Sequence, residues 1–92
     1  MNDSHKLSVL KNNLQLLTDS QDLYLKELLK QAESLMKREG IVNDGTNDYD
    51  MAVVDYAAFL FRKRANSEMK MPRHLRYELN NILFSQLSLI HI

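Results

Sequence analysis

The chain of 92 residues contains no cysteine, so neither a disulfide nor a thiolate metal site braces it. Two glycines and one proline are too few turn formers for a fold of many short strands. No apolar run reaches the length needed to cross a bilayer. The opening Met1–Lys6 stretch lacks the charged start and apolar block of a signal peptide. Net charge is zero, so the chain as a whole is not basic in the way a nucleic-acid-binding domain is. The expectation is a soluble protein of a reducing compartment, or one assembled there. One domain over residues 1–92 buries only roughly 60–65% of the surface its unfolded form exposes. With 45% apolar content the chain is not disordered, and aliphatic burial or assembly with other copies must stabilise it.

The apolar spacing is helical throughout. Leu7, Leu10, Leu14 and Leu17 step by three and four and predict a first helix of about three turns. Thr18, with Gln21 three residues on, has the pattern of a capping box for a second helix. There Leu25, Leu28, Leu29, Ala32, Leu35 and Met36 form one stripe, with Lys26, Glu27, Lys30, Gln31, Lys37 and Arg38 on the other side. Gly40 stands where that helix needs a left-handed residue to end. The loop "VNDGTND" follows, and Thr46 or Asn47 caps the third helix, placing Asp48 and Asp50 in its first turn.

From Met51 to Phe61 every residue but Asp55 is apolar. A helix apolar nearly all round must be enclosed on several sides, so the third helix, about residues 47–65, is expected to be central. It ends in the basic turn Arg62-Lys63-Arg64. "ANSEMKM" leads to a fourth helix with Pro72 at its first position, where a missing N–H costs nothing. Leu75, Leu79, Ile82 and Leu83 form its core stripe, while Tyr77 and Phe84 fall on a different side. The predicted fold is all-α: one small domain of about four helices around the central one, with an apolar C-terminal tail, "LSLIHI", at 87–92.

Catalytic and metal chemistry find little support. His5, His74 and His91 are far apart, with no metal-ligand spacing. Asp44, Thr46, Asp48 and Asp50 alternate faintly as in a calcium loop, yet Tyr49 occupies the required glycine position and Asp55 the position of the closing Glu. No Gly-rich phosphate loop and no GxSxG elbow occur. No catalytic, cofactor-binding or metal residue is assigned, and an enzyme is not expected.

Charge is unevenly spread. Glu39, Asp44, Asp48, Asp50 and Asp55 lie in a stretch without Lys or Arg, and Arg62, Lys63, Arg64, Lys70, Arg73 and Arg76 follow against the single acid Glu68. Asp55 either lies on a narrow exposed strip or is buried and paired, with Arg73 and Arg76 as candidates. The basic segment 62–76 reads as solvated charge, as a DNA-binding element, or as one half of a contact whose acidic half lies on a neighbouring copy. Against the DNA reading, the connection between its two helices is longer than a helix-turn-helix allows.

The string "DYAAFLFRKRANSEMKMPRHLRYELNNILFSQ" resembles the head–tail connector, or head-completion, proteins of tailed bacteriophages. The family's Met-Pro-x-x-Leu-x-x-x-Leu-Asn-x-Leu-Leu pattern corresponds here to Met71 through Leu83. Tyr56-Ala57-Ala58 with Arg62 is similar too, as is "DLYLKELLKQAESLMKREG". The likeness covers about residues 14–86, and its motifs are mostly helix packing whose order carries the resemblance.

The resemblance implies a structural adaptor of the virion, made in the bacterial host cytoplasm, that catalyses nothing. Copies would form a homo-oligomeric ring, twelvefold in the virion, beneath the portal protein. The ring would extend the DNA channel and offer a platform to the stopper or tail-completion protein. A ring needs two different complementary patches on each subunit. The acidic block and the basic block, the latter with Tyr77 and Phe84, are the candidates for subunit, portal or channel-lining contacts. Contact with packaged DNA would be non-specific, through phosphates. The apolar tail at 87–92 would dock on a neighbour or the portal, as an added strand. The alternative is a small helical DNA-binding regulator using residues 62–76.

Overall fold

The computed structural model describes residues 1–90. Four helices follow in order: α1 (Asp3–Leu14), α2 (Asp22–Arg38), α3 (Asn47–Ala65) and α4 (Arg73–Ile90). The all-α expectation holds, and α3 has the bounds the apolar run predicted. α3 packs against each of the other three helices. Ala52, Val53, Val54, Ala57 and Ala58 are buried along it, and Tyr56 and Phe59 nearly so. Ala32 of α2 is also fully buried. Such small side chains let two helix backbones approach closely, which suits the extensive α2–α3 contact. The fold measures 47 × 31 × 18 Å, a slab about two helices thick.

The ends of the helices follow local chemistry, with some surprises. Asn2 accepts the His5 N–H at 2.8 Å and starts α1. α1 ends a turn earlier than its leucine spacing predicts, because Gln15 turns left-handed at φ 58°. Leu16 N–H then donates to the Lys11 carbonyl at 2.9 Å and Gln15 N–H to that of Asn12 at 3.1 Å, the paired bonds of a Schellman end. Leu17, expected in the core stripe, lies beyond that end and is 97% exposed.

Thr18 does not cap α2. Its hydroxyl meets that of Ser20 at 3.0 Å, and the residue at the cap, Gln21, makes no side-chain cap bond. Instead Lys11 reaches from α1 to Asp19 at 2.6 Å and to Asp22 at 3.0 Å, holding the helix start by tertiary charge pairing. At the other end Gly40, φ +94°, closes α2 as expected. Ile41 N–H bonds the Met36 carbonyl and Gly40 N–H that of Lys37, each at 3.0 Å. The hydrophobic contact of the motif is supplied by Met36 and Ile41, both buried. Of the two candidates for capping α3, Thr46 does so, accepting the Tyr49 N–H at 3.2 Å.

Pro72 stands one residue before α4, and its carbonyl accepts the Leu75 and Arg76 N–H groups at 3.1 Å. Leu75 and Leu79 are buried, and Ile82 and Leu83 pack partly on the core. Leu87 to Ile90 are not a separate tail or an added strand. They continue α4, since nothing between Asn81 and Ile90 breaks a helix. His91 and the end of the predicted tail lie outside the described residues.

The two left-handed C-terminal residues differ in chemistry, and that difference is measurable. Gln15→Gly should raise stability by about 1 kcal/mol by relieving the Cβ clash. Gly40→Ala should lower it by a similar amount through backbone strain alone, since the added Cβ would meet Leu83 Cδ1 at an ordinary 3.5 Å. For a chain of this size, thermal denaturation should show opposite shifts of about 4–8 °C.

Candidate functional site

The predicted charge blocks meet largely within one subunit. Arg76 donates to both carboxylate oxygens of Glu39, at 2.6 and 3.2 Å, and reaches Met71 Sδ at 3.3 Å. This pair fastens the start of α4 to the end of α2, and the bond to Glu39 raises the Arg76 pKa further. Asp50, expected on the acidic surface, is buried and pairs with the Met1 ammonium at 3.1 Å. Arg62 donates to the side chain and carbonyl of Asn13, at 3.0 and 3.4 Å, linking α3 to α1. Arg64 stacks over the Tyr24 ring, 4.6 Å from its centroid, and Lys63 lies 5.8 Å from that of Phe59.

Two corrections follow for the expected inter-subunit contact. Glu39 and Arg76 already satisfy each other, and Asp50 does not face solvent. What remains outward is Asp44 and Asp48 among the acids, and Lys63, Lys70 and Arg73 among the bases. Lys70 and Arg73 are exposed and form no ion pair among the described residues.

Asp55 pairs with neither Arg73 nor Arg76, and it is half-buried rather than on an open strip. It faces Glu78 of α4, a residue the sequence reading did not single out. Burial pushes the Glu78 carboxyl up to about 7, helped by the bond to Asp55 and by the charges of Asp55 and Asp48. Burial and the neighbouring acids Asp55 and Asp48 thus favour the protonated form of Glu78. Above them opens a groove of about 300 Å³ lined by Asp44, Thr46, Asp48, Glu78, Asn81 and Ser85, with Ile82 as its apolar wall. No group of three or more His, Asp or Glu among the described residues has metal-binding geometry.

Gln86 also escaped the sequence reading. Its amide accepts the Val42 N–H at 3.0 Å and donates to the Val42 carbonyl at 2.8 Å. It thereby stands in for a peptide group and clasps the loop between α2 and α3. The same loop is stiffened by Asp44, which accepts the Thr46 hydroxyl at 2.6 Å and its N–H at 3.0 Å. These bonds hold the Asp44 carboxyl below its ordinary value. A glutamine near the end of an amphipathic helix carries no signal that distinguishes this role from ordinary solvation.

The outer side of α4 is the most conspicuous surface. Tyr77 lies two residues from both Leu75 and Leu79, hence about 200° round the helix from the core stripe. Tyr77 is 58% exposed, Phe84 60% and Leu87 41%. Two aromatic rings and a leucine thus stand in water along one helix face, with Arg73 at its start. Among the described residues, no helix is long and apolar enough to cross a membrane. No protein-family model, no curated protein and no solved structure matches this chain. The functional reading therefore rests on the residues and their arrangement.

Arg76 and Arg73 should separate cleanly in urea denaturation. Arg76→Ala should cost about 1 kcal/mol, kept modest by partial solvent exposure of the pair, and Glu39→Gln should cost about as much. Arg73→Ala should change stability by no more than about 0.5 kcal/mol.

Proposed function

We propose that this protein is a head–tail connector subunit of a tailed bacteriophage, a structural adaptor that assembles as a ring beneath the portal. One observation carries the reading: α4 has two apolar sides, and the fold covers only one. A single small core is filled by Leu75, Leu79, Ile82 and Leu83. Exposed apolar residues clustered on one face mark a contact surface. The Met71–Leu83 motif, which bears the family resemblance, supplies both the core residues and Tyr77.

The contact would be heterologous, as a closed ring requires. Lys70 and Arg73 would meet a surface bearing Asp44 and Asp48, with Tyr77 and Phe84 excluding water beside them. Glu39, Arg76 and Asp50 are removed from that contact, because each is already engaged inside the subunit. In this role the protein works by holding portal and tail parts together around the DNA channel, with the stopper or tail-completion protein below. The DNA-binding alternative is less favoured. Arg62, Arg64 and Arg76 are each tied to partners on other helices, so the six cations do not form one groove-facing set. Seven residues also separate α3 from α4, more than a helix-turn-helix uses.

Electron microscopy of the protein mixed with its cognate portal should show a ring capping the portal. Tyr77→Ser with Phe84→Ser should abolish the ring while leaving the helical circular-dichroism signal unchanged. Tight, sequence-selective DNA binding at physiological salt would sink the connector reading, whereas weak and steeply salt-dependent binding is what phosphate contacts alone produce.

A further inference from the structure

Exposed apolar side chains gather at two opposite ends of the fold. The start of α2 lies beside the end of α3, where the ring centroids of Tyr24 and Phe61 are 6.3 Å apart. A cleft of about 710 Å³ opens there, lined by Ser20, Gln21, Tyr24, Phe61, Arg64 and Ala65. Leu17 and Leu23, which flank Ser20 and Gln21 in the chain, are both largely exposed. The other end of α2 leads into Val42, also exposed, which Gln86 of α4 clasps. Phe84 and Leu87 stand on α4 to either side of that glutamine and face solvent. The 17 residues of α2 hold the two ends about 25 Å apart.

The two ends also differ in charge. Beside the clasp, Asp44 and Asp48 line a groove to which no Lys or Arg contributes. The last described turn of α4 bears no base either, so the negative end of its helix dipole is not offset. At the cleft, the acids Asp19 and Asp22 are both held by Lys11. Lys63 and Arg64 are exposed there and form no ion pair among the described residues. Arg64 lays its face on the Tyr24 ring, which leaves the N–H edge of the guanidinium free for a carboxylate. One end is therefore apolar with a negative border, and the other apolar with a positive one.

We propose that the cleft between the start of α2 and the end of α3 receives the Phe84–Leu87 end of α4 from a second copy of the chain, so that subunits join head to tail. The inference rests on the ring reading above and names the surface that the outer side of α4 occupies. Phe84 of one copy lies against Tyr24 and Phe61 of the next, where aromatic rings pack favourably. Lys63 and Arg64 face Asp44 and Asp48, adding to the cations already assigned to that contact. A two-fold pairing of α4 with α4 would instead set the acidic borders side by side. Because the two surfaces differ and lie at opposite ends, the same contact repeats from copy to copy, as a ring requires.

The chain has no cysteine, so single introduced thiols report the contact. Ser20→Cys places one in the cleft and Ser88→Cys places one on α4 beside Leu87; both serines are exposed. When the two variants are mixed with a short bis-maleimide, the product joining position 20 to position 88 should dominate over both same-site products in mass spectrometry. A chain carrying both thiols should give a ladder of oligomers. Arg64→Glu in the Ser20→Cys copy should lower the mixed product about tenfold, and Asp48→Lys in the Ser88→Cys copy should restore it. Mixed product no greater than chance encounter gives overturns the proposal. So does an excess of the product joining two copies of position 88, which would mean two-fold pairing of α4. So does a loss in Arg64→Glu that Asp48→Lys does not recover. A ring on the portal without the mixed product removes this contact and leaves the connector reading standing; the mixed product without such a ring supports the contact and removes that reading.

Discussion

α3 must be enclosed, and most of the architecture follows from that requirement. Between Met51 and Phe61 only Asp55 is charged, so nearly every side of the helix avoids water. α1 and α2 cover part of it and α4 covers another part. The alanines at 52, 57 and 58 leave room for this, since a helix surrounded by large side chains on all sides could not be approached so closely. Enclosing one helix with three gives a thin slab, and a thin slab leaves the far sides of its outer helices in contact with solvent. For α2 that far side is polar. For α4 it carries Tyr77, Phe84 and Leu87.

Electrostatics in this chain mostly fasten helices to one another. Lys11 joins α1 to the entry of α2, Arg62 joins α3 to α1, and Arg76 joins α4 to the end of α2. Each is a long side chain reaching across a helix boundary, its aliphatic stem lying on the fold and its head on an oxygen. Asp55 and Glu78 are the exception. Here acids of two helices are neighbours with no base between them, and burial with those neighbours raises the Glu78 carboxyl to about 7.

The helices were legible in the sequence to the extent that one-dimensional periodicity decides them. α2 and α3 are long and strongly patterned; α3 has its expected bounds, and α2 ends at Gly40 as expected although it begins at Asp22, three residues beyond the position that a Thr18 cap implies. The end of α1 was not legible, because Gln15 adopts a backbone region that favours glycine and its side chain announces nothing. The start of α2 looked like a capping box, but Lys11 holds it from another helix, which is tertiary information. The tail was misjudged by its composition, although nothing in it stops α4. The cations and acids are plain in the sequence, but the blocks do not face each other as blocks. Which acid meets which base depends on helix rotation of a few tens of degrees, and a sequence pattern does not resolve that. Glu78 and Gln86 were missed for the same reason, each being an ordinary polar residue on an amphipathic helix until its neighbours are known.

Packing in this fold follows the order of the chain. α1 meets α2, α2 meets α3 and α3 meets α4, with α1–α3 as the one other extensive pairing. Contacts between sequence neighbours close short loops, so little chain entropy is lost before each contact forms. Such a topology folds quickly and from local beginnings. During synthesis the first three helices can associate before α4 has emerged, leaving the Leu75–Leu79 side of α3's surface open until the last helix arrives. The final step of folding is therefore the seating of the same helix whose outer face is offered to a partner, and completion of the subunit and readiness for assembly coincide.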